Sequence, residues 1–112
     1  MVSHDPAQRI ADALEAIERC QRYVTAVEGD PEVVEMAEDA IERNLQIIGE
    51  AVNHLPEEIT GAHPEVPWPQ VRGFRNILVH QYFGVDVDVV RDVVETHLPP
   101  LAEALRDHVA ED

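Results

Sequence analysis

Lysine is absent from this 112-residue chain: all eight basic residues are arginine, at positions 9, 19, 22, 43, 72, 75, 91 and 106. Cysteine occurs once, at Cys20, which excludes an internal disulfide and any multi-cysteine zinc site. Aromatic residues make up 4% of the chain, and Trp68 is the sole tryptophan. No run approaches the ~18 apolar residues that a membrane span requires. The start, MVSHDPAQRI, lacks the basic residues and apolar stretch of a secretory signal, so the cytoplasm is the expected compartment, with no membrane partner. There is no glycine-rich phosphate loop, which argues against nucleoside-triphosphate hydrolysis. His4, His54, His63, His97 and His108 show no metal-ligand spacing with Cys20 or carboxylates, so they read as surface or loop residues and no metal site or cofactor is expected.

What the chain has in excess is acid. Asp and Glu total 23, for a formal net charge of -15. Such a charge self-repels at low ionic strength and repels nucleic acid. Two explanations compete: a halophilic composition, adapted to a salt-rich cytoplasm, or a protein with a basic partner. Because the acids are spread along the whole chain and do not form one tail, the salt-adapted reading is favoured.

Hydrophobic residues are 45% of the chain, enough for a core, and their spacing is helical nearly throughout. Asp5-Pro6 reads as an N-cap followed by proline at the first helical position. From there Ile10, Leu14, Ile17, Cys20, Val24 and Val27 form one stripe, stopped by Gly29. Asp30-Pro31 repeats the start signal for a second stripe, Val34, Ala37, Ile41, Leu45, Ile48, Val52 and Leu55, with Pro56 as its end. Residues 56–67, with three prolines and a glycine, read as a structured loop. A third helix is expected from Trp68-Pro69 to about His80, and a fourth from Asp86 or Asp88 through Val90, Val94 and Leu98. Pro99-Pro100 kink or restart it into a last piece carrying Leu101, Leu105 and Val109. The valines at 85, 87 and 89 alternate like a strand but have no partner strand. The expectation is an all-α, four- to five-helix up-and-down bundle forming a single domain over residues 1–112.

Chemistry concentrates in Arg72-Gly-Phe-Arg75-Asn76-Ile-Leu-Val-His80-Gln-Tyr82-Phe-Gly84. An arginine offers a planar fork for phosphate oxygens, and a histidine moves protons near neutral pH. Together they suffice to cleave a phosphodiester without a metal: one group activates the ribose 2′-hydroxyl or protonates the leaving oxygen, the other neutralises charge building on the phosphate. At about 100° per residue, Asn76 and His80 share a stripe, whereas Arg75 and His80 differ by roughly 140° on a straight helix. Convergence needs either a distorted helix near His80 or a second copy of the chain across an interface. By residue types alone, a packing helix with one satisfied histidine and surface arginines is the commoner reading.

The run Arg75-Asn76-Ile77-Leu78-Val79-His80-Gln81-Tyr82 resembles the Arg-x4-His-x-Tyr signature of the HepT-like toxins, a branch of the HEPN ribonucleases. Three other stretches are similar to that branch: Ile41-Glu-Arg-Asn-Leu-Gln-Ile-Ile-Gly-Glu50-Ala51, Val66-Pro-Trp68, and Arg72-Gly-Phe-Arg75. With the helical layout, the likeness covers roughly residues 8–108. It implies a helical homodimer that cuts RNA without a metal ion, a toxin paired with a minimal nucleotidyltransferase antitoxin that transfers AMP to the motif tyrosine. Carried onto this chain, Arg75 holds and neutralises the scissile phosphate, His80 transfers the proton, Asn76 orients phosphate or His80, and Tyr82 accepts AMP. Arg72 is a candidate phosphate contact. Glu50 either points into the cleft toward Arg75 or is a solvent-facing acid. Trp68 reads as a core or interface anchor in preference to a base-stacking platform, and Cys20 as a small core residue. The competing expectation, from another class, is a non-catalytic helical dimer that binds and regulates a nucleotidyltransferase.

Overall fold

The computed structural model describes residues 5–74 and 91–109. Within them every element is helical, as the apolar spacing predicts. Helix α1 spans Pro6–Tyr23, and its start is built as expected: the Asp5 side chain accepts from the Ala7 amide at 3.0 Å, and Pro6 occupies the first turn, where no N–H is needed. Ile10, Ala13, Ala16, Ile17 and Cys20 are its buried face. Past Tyr23 the helix tightens into a 3₁₀ turn, Val24–Glu28, ahead of Gly29.

Helix α2, Pro31–Asn53, is opened by Asp30, whose carboxylate accepts from the Glu32 amide at 3.3 Å. Its face of Ala37, Ile41, Leu45, Ile48 and Val52 lies in the core. Cys20, near the end of α1, reaches the carbonyl of Ile41, whereas Arg9, near its start, shares a groove with Glu50 late in α2. The two helices therefore run antiparallel, the up-and-down arrangement expected.

Residues 56–67 depart from a plain loop. They contain a one-turn helix, α3, Glu57–Thr60, hydrogen-bonded back to the Pro56 carbonyl through the amides of Ile59 and Thr60. One turn has no apolar periodicity to betray it. Helix α4, Trp68–Arg72, is also shorter than the expected third helix: Gly73 closes it, its amide donating to the Pro69 and Gln70 carbonyls. Phe74 follows in helical conformation, buried in the core. The continuation to His80, the valines at 85, 87 and 89, and the caps at Asp86 or Asp88 lie outside the described residues.

Near the C-terminus a π-helical turn, Val93–His97, passes into helix α5, Leu98–Arg106. The cause is the Pro99-Pro100 pair. Neither proline can donate to a carbonyl one turn back, and each ring crowds that turn. The chain answers by widening, so the Leu98 amide bonds five residues back to Val93. Leu98, Leu101 and Leu105 are all but fully buried against α1, each such burial stabilising by roughly 1.5–3 kcal/mol. Helix α1 thus packs between α2 and α5, while α4 lies against α2.

Candidate active site

The approach to the Arg75–Tyr82 segment is held by Trp68. Its backbone amide donates to the Val66 carbonyl at 2.8 Å, and its indole Nε1–H donates to the His63 carbonyl at 3.0 Å. The ring is buried together with Val66, Val71 and Phe74. The core-anchor reading of Trp68 holds: an indole with its one donor satisfied and its faces covered has no surface to offer a base. Arg72, half-buried at the end of α4, leads directly to residue 75. Arg75, Asn76, His80 and Tyr82 lie outside the described residues.

Glu50 is exposed, on the last turns of α2. Its Oε2 lies 2.9 Å from Nε2 of His54, one helical turn on, at a surface position where such a pair contributes little stability. The same carboxylate lines a groove between α1 and α2 with Arg9, Asp12, Arg43, Gln46 and Ile47. Six residues before Glu50, Asn44 is a buried polar side chain: its Nδ2 donates to the Ala40 carbonyl at 2.8 Å, and its Oδ1 has no partner among the described residues.

Of the histidines read as surface or loop groups, His63 is a loop residue that packs inward. It sits in the loop between α3 and α4, but its side chain is only 12% exposed. Its Nε2 is 2.8 Å from Nε2 of His108 and its Nδ1 is 3.2 Å from Oε2 of Glu65, with the two rings edge to face. The Glu65 carboxyl is held below its ordinary range first by a backbone hydrogen bond and then by His63. A contact between residues 45 apart has no spacing signal in the sequence. His97 faces Asp92 at 3.5 Å. No three His, Cys, Asp or Glu side chains among the described residues gather as a metal-binding set. Cys20 is a core residue, as expected: burial pushes its thiol up to about 12. No helix among the described residues is long and apolar enough to cross a membrane.

The family model for "Ribonuclease HepT-like" matches residues 13–107. Among curated proteins, the "Probable ribonuclease HepT" of Thermococcus cleftensis is 37% identical over 97 residues, covering 87% of this chain and 86% of its own length. The "Putative RNase TTE0752" of Caldanaerobacter subterraneus subsp. tengcongensis is 38% identical over 68 residues, covering 61% of each chain. The "Gamma-glutamylcyclotransferase and putative RNase MJ0434" of Methanocaldococcus jannaschii is 36% identical over 93 residues, covering 82% of this chain and 42% of that protein. The match thus spans less than two thirds of the length of the last two relatives. No solved structure matches the chain.

Proposed function

The chain belongs to the HepT-like ribonuclease family, and from that premise we propose that it is a metal-independent endoribonuclease, the toxin of a toxin–antitoxin pair. One observation carries the reading. The arginine-to-tyrosine run of residues 75–82 falls inside the family match and directly follows α4, which buried Trp68 fixes to the core. The 112 residues act as one domain, in the cytoplasm, as a homodimer whose protomers each contribute an Arg75 and a His80 to a shared cleft. Arg75 holds and neutralises the scissile phosphate, and Asn76 orients phosphate or His80. The His80 imidazole takes the proton of the ribose 2′-hydroxyl or gives one to the leaving oxygen. Arg72, at the end of α4, adds a phosphate contact.

Regulation is by a minimal nucleotidyltransferase antitoxin that transfers AMP to the Tyr82 hydroxyl. A bulky anion two residues from His80 blocks the cleft and repels RNA phosphate. With a net charge of -15, RNA binding depends on these few arginines and on shape more than on a general field.

Cleavage of single-stranded RNA by purified protein is the test. Arg75→Ala and His80→Ala should each lower the rate by about 10²–10³ and relieve growth arrest in expressing cells, while exposed Glu57→Ala retains both. Equal tolerance of all three variants overturns the nuclease reading in favour of a non-catalytic dimer that regulates a nucleotidyltransferase. Co-expression with the antitoxin should add about 329 Da per AMP, lost in Tyr82→Phe and kept in Tyr23→Phe. The converse pattern removes Tyr82 from the assignment.

A further inference from the structure

The groove between α1 and α2, about 310 Å³ in volume, collects two arginines from helices whose order in the sequence gives no hint of the meeting. Arg9 comes from the first turn of α1, and Arg43 from the middle of α2. Acids outnumber bases almost three to one in this chain, and other arginines have found partners. Arg19 pairs with Glu15 at 3.5 Å, Arg91 with Glu28 at 3.1 Å, and Arg22 lies over the Tyr23 ring. Among the described residues, neither Arg9 nor Arg43 has an ion pair. The Nε of Arg9 is sealed from solvent with no acceptor, a donor left with its desolvation cost unmet.

The carboxylates of the same groove are engaged elsewhere. Asp12 accepts from Gln8 Nε2 at 2.8 Å, and Glu50 is held by His54. The groove therefore presents two guanidinium groups and the Gln46 amide to whatever enters, against a background of nearly balanced charge.

We propose that this groove is a phosphate subsite, in which Arg9 and Arg43 grip a phosphodiester of the RNA strand away from the scissile bond. The proposal rests on the ribonuclease reading above. Guanidinium forks match the paired oxygens of a phosphate. Asp12 and Glu50 set the choice between phosphates: a singly charged diester meets less repulsion from two nearby carboxylates than the dianion of a free monoester. The strand backbone is thus favoured over a mononucleotide.

The probe is a fluorescent 2′-O-methyl oligoribonucleotide, which keeps every phosphate but cannot use a 2′-hydroxyl for cleavage. Its binding to the full chain is read by anisotropy between 50 and 200 mM KCl, with AMP and inorganic phosphate as competitors. Arg9→Gln/Arg43→Gln should bind about tenfold more weakly at 50 mM. The slope of log affinity on log salt should fall by about 0.7, that expected for one single-strand phosphate contact. Arg43→Gln alone, at an exposed position, should show part of both effects, and Arg19→Gln neither. Wild-type affinity and slope in the double variant overturn the subsite, and RNA cleavage persisting in the wild type then leaves the nuclease reading intact. Failure of the wild type to cleave RNA removes the nuclease reading, while Arg9-dependent oligonucleotide binding still upholds the subsite. Arginine-dependent binding of AMP without the oligonucleotide upholds a phosphate site and overturns the strand as its source.

Discussion

Trp68 shows how one side chain can position a segment it does not belong to. Its indole spans from the buried face of α4 to the His63 carbonyl, tying the loop after α3 to the helix that leads to Arg75. Trp68→Phe keeps most of the apolar area and removes one of the two hydrogen bonds that this carbonyl accepts, the Val66 amide still donating at 3.1 Å, so it should cost about 1 kcal/mol in urea unfolding. Trp68→Ala, which also opens a cavity, should cost about 3–5 kcal/mol. Unchanged stability in the phenylalanine variant would remove the hydrogen bond from the account. Cys20 makes a second residue-scale prediction. The thiolate is the reactive form, and burial holds this thiol at about 12, so the native protein at pH 8 should resist a thiol reagent that labels it at once in urea. Fast native labelling would contradict its place between α1 and α2. The core role of both residues was readable in the sequence, Cys20 from its position on the α1 stripe and Trp68 from its size and setting. The His63–His108 contact and the Arg9–Arg43 groove were not, because each joins residues that only tertiary packing brings together.

At the scale of the element, α2 carries a ridge of like charge: Glu35, Glu38, Asp39 and Glu42. The Glu38 carboxyl is pushed above its ordinary range by partial burial first and by Asp39 and Glu35 second, and Glu42 by partial burial and then Asp39. A carboxyl raised in the folded state binds its proton more tightly there than in the unfolded chain. Its penalty is therefore present at neutral pH and fades as pH falls through the raised value toward the ordinary 4.5. Glu38→Gln and Glu42→Gln should each raise the melting temperature by about 1–4 °C at pH 7, and by nothing near pH 4. A gain that persists in acid would point to packing and away from charge. The element boundaries themselves show which signals a sequence carries. Asp-Pro starts, apolar stripes and the Pro99-Pro100 break are local chemistry, and they place α1, α2 and α5, although α5 ends at Arg106 and leaves Val109, expected on its stripe, exposed. The one-turn α3 and the closure of α4 at Gly73 are set by how the chain between α2 and the core is folded back, for which three- and four-residue spacing has no signature.

For the whole molecule, the charge of -15 carried on a bundle of packed helices is the dominant long-range force. If the acids are an adaptation to salt, their mutual repulsion is what salt relieves, because the screening length falls from about 10 Å at 0.1 M to about 3 Å at 1 M. Local pairs such as Arg91–Glu28, at 3.1 Å, are separated by only about the shorter length and lose less than the diffuse repulsion, which acts over longer distances. The melting temperature should then climb by several degrees between 0.1 and 1 M KCl, a salt chosen because sulfate would also strengthen apolar burial. Over the same range RNA affinity should fall, since phosphate contacts release counterions. Opposite signs for folding and binding distinguish screening of a self-repelling fold from a general salt effect on the protein. A basic partner makes a different demand: a polycation at micromolar concentration should then stabilise the fold at 0.1 M KCl as effectively as molar salt. A melting temperature that is flat in KCl but rises with the polycation would transfer the acidic surface from the solvent to a partner.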